Sequence, residues 1–362
     1  MRIKILLFTK QLDPAPTGGR ELLCKLNFDA LKAIYGNCLA LFQLPPGRPA
    51  GARAYIETFR GYIDGLNTTS IGVAKRRIGF ENISKVFVDG SNLGEFVAVV
   101  KRNTPHVEVT TFFHNVEARF FLGALKETKS LRALAILVAN YLAERKAVKY
   151  SDKLVCLSER DSELLRKVYG RSATHISAMA LEDKMPSGFV MNTKEPKERF
   201  ALFVGGSFYA NRAGIAWFVK HVVPRIGIKV CIVGRGFEAL RHELEREGKV
   251  EVVGAVDHLA DWYRDAQYVI APIFDGSGMK TKVAEALMYG KKVIGTPEAF
   301  SGYEGLAERA GRVCSNADEF VQAIEAADNM VKARFDPEMR ALYEKIYSLP
   351  AARARLEEIM NA

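Results

Sequence analysis

Residues 269–305 read VIAPIFDGSGMKTKVAEALMYGKKVIGTPEAFSGYEG, and the fold follows from how this stretch is parsed. An apolar run over Tyr268–Ile273 is followed by Gly276, Ser277 and Gly278, then by helical spacing as far as Gly290, then by a second strand-like run, Lys292–Thr296. The order is strand, glycine loop, helix, strand. Glycines ahead of a helix let the backbone approach a ligand closely. The unpaired N–H groups of the first turn, with the positive end of the helix dipole, suit a phosphate. Lys280 and Lys282 add positive charge at the same place. Lys282 and Glu285 lie three residues apart and share one helix face, while Val283 and Leu287, four apart, share another that can enter a core. A carboxylate beside a phosphate site suits ribose hydroxyls rather than phosphate, so the pair points to a nucleotide. The local pattern alone fits an ordinary β–α–β unit equally well.

The segment PIFDGSGMKTKVAEALMYGKKVIGT resembles the donor-site signature of glycosyltransferase family 4, and the likeness extends at lower density over nearly the whole chain. The resemblance implies an α/β protein of the GT-B type, two Rossmann-like doubly wound domains facing a central cleft. It implies a retaining transfer of a sugar from a nucleotide diphosphate to an acceptor hydroxyl, with UDP-sugar as the first donor to consider. It assigns Glu285 to the ribose, and Gly278, Met279, Lys280 and Lys282 to the diphosphate, the two lysines also favouring its departure. Many members carry two glutamates separated by seven residues; here the first position is Ser277, with Asp275 nearby as a substitute. That departure leaves the sugar open. No DxD motif is present, so no metal or other cofactor is expected, and helix N-termini and lysines would neutralise the leaving group.

A chain of 362 residues with 48% hydrophobic and 26% charged content suits two globular domains. Five scattered cysteines, an odd number with no CxxC pair, fit a reducing cytosol. The N-terminus, MRIKILLFTKQLDPAP, lacks an export signal's long apolar region and reads as a first strand. The longest apolar stretch, Leu131–Ala143, contains Arg132 and Asn140 and is too short to span a bilayer. Residues 1–183 hold 27 Lys+Arg against 18 Asp+Glu, whereas residues 184–362 hold 25 against 24, so nearly all of the +10 formal charge lies in the first half. Nucleic acid, an anionic membrane or a diphosphate-bearing substrate would each fit such a half. No recognised nucleic-acid module accompanies the charge, and nucleic acid is the least favoured of the three.

Along the chain, Arg2–Thr9 reads as a buried strand, and Gly18-Gly19 turns it into a helix running from Arg20 to about Ile34. A strand is expected over 37–44, a helix over 54–66, and further strands over Lys85–Asp89, Val107–Phe113 and Lys153–Leu157. Lys75-Arg76-Arg77 forms a basic cluster whose plainest reading is a solvated turn. His114 follows a strand, where ligands of open parallel sheets bind, although a lone histidine is more often structural. Ser158 is an expected N-cap for the helix that follows. Residues 184–198, broken by Pro186, Gly188 and Pro196, read as a linker. The second half restarts with Phe200–Val204 and GGSFYANRAG, and strands at Lys229–Val233 and Val250–Val253 lead into Gly234-Arg235-Gly236 and Gly254.

In the resembled family a Gly-Gly pair faces the donor diphosphate, here Gly18 and Gly19. A histidine stands near the donor sugar, carried by the likeness of TFFHNVEARFF to His114. The turn at Gly206 carries an arginine and a lysine whose places fall on Ser207 and Arg212, and backbone near Arg235 and Gly254 meets the nucleotide. The expected division is an acceptor-side domain over 1–183, a donor domain over 199–337 and a C-terminal helix, 338–362, packing back on the first domain.

The expected partners are a nucleotide-sugar donor and a saccharide or polyprenyl-diphosphate-linked acceptor, in bacterial surface polysaccharide or glycan synthesis. Lys75-Arg76-Arg77, and Arg119-Phe120-Phe121-Leu122 through Leu125, Lys126, Lys129 and Arg132, mix basic and bulky apolar residues as an anionic bilayer interface would require. A helix with Phe120, Phe121 and Leu125 in a core fits as well. The expected location is the cytoplasm, peripheral on the inner face of the cell membrane. The alternatives are a catalytically idle GT-B relative that binds or scaffolds, and a sugar-nucleotide epimerase of the same fold.

Overall fold

The computed structural model describes residues 3–14, 16, 19–46, 52–189, 198–276, 278–330 and 334–362, without the side chains of 52–55, 127 and 328–330. The chain divides into two compact units, residues 1–179 with 352–362, and residues 180–351.

The first unit runs β1 Ile5–Thr9, α1 Gly19–Tyr35, β2 Leu39–Gln43, α2 Ala52–Phe59, α3 Thr68–Phe80, β3 Lys85–Asp89, α4 Gly94–Asn103, β4 Glu108–Phe113, α5 Glu117–Thr128, α6 Leu131–Tyr150, β5 Lys153–Cys156, α7 Glu159–Tyr169 and β6 His175–Ile176. Its sheet is parallel in the order β2-β1-β3-β4-β5-β6, with Ile5 in register with Leu39 on one side and Lys85 on the other. Helices cover both faces of such a sheet, so its strands are apolar throughout rather than alternating. Ile5, Leu6, Leu7 and Phe8 are all fully buried, and Phe8 stacks on Phe96 of α4 at 3.7 Å.

Local chemistry sets several boundaries. Ser158 accepts the Asp161 N–H at 3.1 Å, the cap its sequence position suggests. The helix expected over 54–66 stops at Phe59, because Gly61, Asp64 and Gly65 all take positive φ and reverse the chain. Lys75-Arg76-Arg77 lies within a helix rather than a turn: Asn67 and Ser70 form a reciprocal capping box, and Ser70, Ile71, Ala74 and Ile78 form the buried face of α3. The C-terminal end of the chain seats on this unit through buried Leu356, Ile359 and Met360. Lys153 Nζ donates to the Ile359 carbonyl at 2.9 Å, and Arg355 donates to that of Ala178 at 2.9 Å.

The second unit runs β7 Phe200–Val204, α8 Tyr209–His221, β8 Lys229–Val233, α9 Arg241–Leu244, β9 Val250–Gly254, α10 Leu259–Asp265, β10 Tyr268–Ala271, α11 Thr281–Met288, β11 Val293–Gly295, α12 Ala307–Ala310, β12 Gly311–Val313, α13 Ala317–Met330 and α14 Pro337–Leu342, before α15 Leu349–Asn361 closes the chain. Its sheet is parallel in the order β12-β11-β10-β7-β8-β9. Within the stretch read as a linker, the Tyr289 hydroxyl donates to the Lys184 carbonyl at 3.2 Å, and the Phe189 ring packs on Tyr289 at 5.4 Å. Residues 190–197 lie outside the described residues.

Strand order reverses between β1 and β3 in the first unit, and between β7 and β10 in the second. At such a reversal the loops leaving the two strands diverge to opposite faces and open a crevice beyond the carboxyl ends, where open α/β sheets take ligands.

Candidate donor site

In the second unit the crevice lies between the loop after β7, Gly205–Phe208, and the loop after β10, which leads into α11. Lys282 on the first turn of α11 is drawn into it. Its Nζ donates to the Val204 carbonyl at 2.5 Å and sits 5.1 Å from the Phe203 ring centroid. Gly205 leaves room for this approach: a Cβ there would lie 2.1 Å from Lys282 Nζ. Burial pushes the Lys282 ammonium down to about 8, against the attraction of Glu285.

Glu285 is half-buried on α11, as Lys282 is. Desolvation raises its carboxyl above the ordinary range, opposed by a hydrogen bond from Tyr263 and by the charges of Lys282 and Lys184. The Tyr263 hydroxyl donates to Oε2 at 3.0 Å. Among the described residues Oε1 has no partner, so α11 presents a half-buried cation and a carboxylate oxygen from one face.

The loops around this pair are braced by their own side chains. Asn211 Nδ2 donates to the Gly206 carbonyl at 2.7 Å, and Asn211 Oδ1 is buried without a partner. Ser207 N–H donates to the Arg235 carbonyl at 3.0 Å, and Glu238 accepts from the backbone N–H groups of Gly236 and Ala255 at 2.6 Å each. Those two hydrogen bonds hold the Glu238 carboxyl below its ordinary range and clamp the Gly234–Gly236 turn to the end of β9, where Gly254 takes a positive φ. Arg212 and Arg235 are exposed. Asp275 accepts from Gly276 N–H at 2.7 Å and from the Tyr209 hydroxyl at 3.3 Å, which ties the loop after β10 to the start of α8. Met279 is buried, and Gly278 takes a positive φ. Lys280 is held away from a purely ligand-facing role: its Nζ pairs with Glu298 at 2.8 Å and donates to the Gly278 carbonyl at 2.9 Å. Ser277 lies outside the described residues.

In the first unit, Gly18 lies outside the described residues and Gly19 opens α1 with free space where a Cβ would stand. His114 follows β4 and is 3% exposed, its Nε2 2.8 Å from Asp89 Oδ1 at the end of β3. Asp89 also accepts from Asn27 at 3.0 Å and Thr9 at 3.3 Å. Burial opposes its charge, but His114 and these donors hold the carboxyl below its ordinary range. His114 Nδ1 is buried without a partner. Cys24 Sγ stands 3.8 Å from His114 Nε2, and Cys24, Asp89 and His114 bring donor atoms within 4.8 Å of one another, the arrangement among the described residues with metal-ligand spacing. The same crevice holds Arg20, paired with Asp64 at 2.6 Å. It also holds Glu117, whose carboxyl burial lifts to about 7 against the pull of Arg20 and with the repulsion of Glu144.

Sequence reading singles out Lys282, Glu285 and the loop glycines, and the structure brings them together at one sheet reversal. It misses Tyr263, Asn211, Glu238, Asp89 and Glu117. Asn211 and Glu238 stand close in sequence to the glycines they serve, a signal that is legible in principle. Tyr263 meets Glu285 from 22 residues away across an intervening strand, which no local pattern records.

Residues 198–328 match the family model described as glycosyl transferases group 1. No curated protein sequence matches. Among solved structures the chain is similar to a sucrose-phosphate synthase from Thermosynechococcus elongatus, with 16% identity, a TM-score of 0.69, and coverage of 99% of this chain and 98% of that one. It is similar to the HepE protein of Anabaena in complex with UDP, with 12% identity, a TM-score of 0.66, and coverage of 99% and 100%. A lipopolysaccharide outer core galactosyltransferase, WaaB, aligns with 14% identity, a TM-score of 0.67, and coverage of 99% of each chain. At these identities the structural likeness shows the fold, that of GT-B glycosyltransferases, and the family-model match supports a glycosyltransferase.

Proposed function

We propose that the chain is a retaining glycosyltransferase of the family 4 type that takes its sugar from a nucleoside diphosphate and transfers it to a saccharide hydroxyl. The observation that carries this reading is the pairing on α11 of half-buried Lys282 with a carboxylate whose Oε1 has no partner among the described residues, at the reversal of the second sheet. A cation drawn under a glycine loop suits a diphosphate, and a carboxylate oxygen beside it suits a diol. UDP is the first nucleotide to test, because the HepE structure holds it.

In the reaction we propose, the acceptor oxygen attacks the anomeric carbon on the face from which the diphosphate departs. The bond from that carbon to the phosphate oxygen breaks, the new glycosidic bond forms on the same face, and the acceptor proton passes to the leaving phosphate. Lys282 stabilises charge as it develops there, helped by the N–H groups of the loop, without a metal. Lys280, already paired with Glu298, braces the loop. Glu285→Ala should weaken UDP binding by roughly 1.5–3 kcal/mol, the worth of hydrogen bonds to a charged acceptor. Calorimetry with UDP checks it, and unchanged affinity sinks the ribose assignment.

The acceptor we propose is lipid-linked and belongs to bacterial surface glycan synthesis, with the protein peripheral on the inner face of the membrane. No described helix is long and apolar enough to cross a membrane. What supports peripheral binding is the outer surface of α5 and α6: Phe120, Leu122, Leu134 and Val138 are 37–45% exposed and Leu131 85%, among exposed Arg119, Lys126, Lys129 and Arg132. Phe121 and Leu125 are half-buried. Of the basic cluster on α3, Arg77 is engaged with Glu81 and the Leu41 carbonyl, and Lys75 with Asn103, which leaves Arg76 beside Phe80, 90% exposed.

A further inference from the structure

Glu285 is fastened from outside its own helix. Tyr263 of α10 is fully buried, and its hydroxyl donates to Oε2 at 3.0 Å. Its ring lies parallel to that of Tyr289, at 4.4 Å and 14°, and the Tyr289 hydroxyl is tied in turn to the Lys184 carbonyl at 3.2 Å. A glutamate has three side-chain torsions, and burial alone does not choose among their rotamers. A ring clamped on one face that donates to one carboxylate oxygen does choose. Tyr263 fills one acceptor site on Oε2 and leaves Oε1 without a protein partner, so Oε1 is the oxygen most open to a ligand.

We infer that Tyr263 is a positioning residue: it fixes the Glu285 carboxylate so that Oε1 meets a vicinal diol, the ribose of a nucleotide. The inference rests on the proposed function of the second unit. The groups that face Glu285 are Tyr263 from α10, Lys282 and Tyr289 on and at the end of its own helix, and Lys184 from the segment ahead of β7. Burial keeps the Tyr263 phenol protonated well beyond the ordinary tyrosine range, so it acts as a donor at every working pH. Of the remaining groups, Lys282 and Lys184 stabilise the charge through space, and Tyr263 does so by a direct hydrogen bond.

The test is UDP affinity as a function of pH for wild type, Tyr263→Phe and Glu285→Gln. All three share any titration of UDP itself, so differences between the profiles isolate the carboxylate. Wild type should lose affinity as pH falls through the Glu285 pKa, and Glu285→Gln should lack that loss. In Tyr263→Phe affinity at pH 8 should fall several-fold because the rotamer is freed, and the acid loss should also begin higher by about one pH unit, as removal of one hydrogen bond to a charged acceptor requires. A uniform drop at every pH, or a profile superposable on wild type, overturns the inference. If Tyr263→Phe does not fold, Tyr289→Leu takes its place, since it leaves the Tyr263 hydroxyl but frees the ring. The same upward move supports the inference, and an unmoved profile overturns it. Failure of the donor reading has a different signature: wild type then does not bind UDP at all.

Discussion

On the proposed function, Lys282 should make the affinity for a diphosphate depend on alkaline pH, and the size of the effect follows from its surroundings. Desolvation brings the ammonium from an ordinary 10.5 down to about 8, and Glu285 restores only part of the loss. A bound diphosphate places negative charge beside Nζ and returns the group toward its ordinary value. Each unit recovered corresponds to about 1.4 kcal/mol, so full recovery makes the coupling between proton and ligand roughly 3 kcal/mol. The sign is fixed by which form the ligand prefers. Below pH 8 the free protein already carries the proton and Lys282 adds no pH dependence of its own; above it a proton must be taken up with the ligand, and the Kd for UDP should rise up to about tenfold per pH unit. Titration calorimetry from pH 7 to 9.5, in two buffers of different ionisation enthalpy, reads both the affinity and the protons taken up. Lys282→Met should bind weakly and without this alkaline loss, and any titration of UDP itself appears in both proteins. A wild-type Kd that stays level to pH 9.5, with no proton uptake, would falsify the assignment of Lys282 to the diphosphate.

Gly214→Ala should destabilise the second unit by roughly 1–3 kcal/mol, because the new Cβ would stand 1.8 Å from the Pro272 carbonyl oxygen and force α8 off the strand-end loop; a thermal midpoint equal to wild type contradicts that. Asp89→Asn should cost roughly 3 kcal/mol at pH 7, since it leaves His114 without its buried carboxylate. The Asp89 carboxyl is held below its ordinary range when folded, so its contribution is present above the unfolded value of 3.8 and fades as pH falls through the folded one. Denaturant titrations of both proteins at pH 7 and in the acid range should show the gap closing. Wild type should sediment with anionic vesicles and release with salt, and Phe120→Ser with Leu134→Ser, or Arg119→Glu with Arg132→Glu, should weaken it at least several-fold. Indifference of wild type to such vesicles at low salt makes a soluble acceptor the better reading.

Much was legible before any coordinates because it rests on short-range regularities. The alternation of apolar strand runs with helical spacing dictates doubly wound parallel sheets, since strands joined through helices must be parallel and buried on both faces. Glycines ahead of α11, and the three-residue interval from Lys282 to Glu285, place a cation and a carboxylate on one helix face whatever surrounds them. The capping box of α3 is equally local, as Asn67 and Ser70 ahead of Ile71, Ala74 and Ile78, and it places the basic cluster on a helix rather than in a turn. Only the tertiary structure decided which of these charges are free. Lys280 and Lys282 look alike two residues apart, yet one pairs with Glu298 from beyond the next strand and the other is buried against Phe203 and the Val204 carbonyl. His114 looked like a group open to a sugar, and the fold gives its Nε2 to Asp89, leaving Nδ1. The free energy of a charge depends on its solvent exposure and on partners within a few ångströms. Those distances are set by which loops meet at a sheet reversal, and spacing along the chain does not encode them.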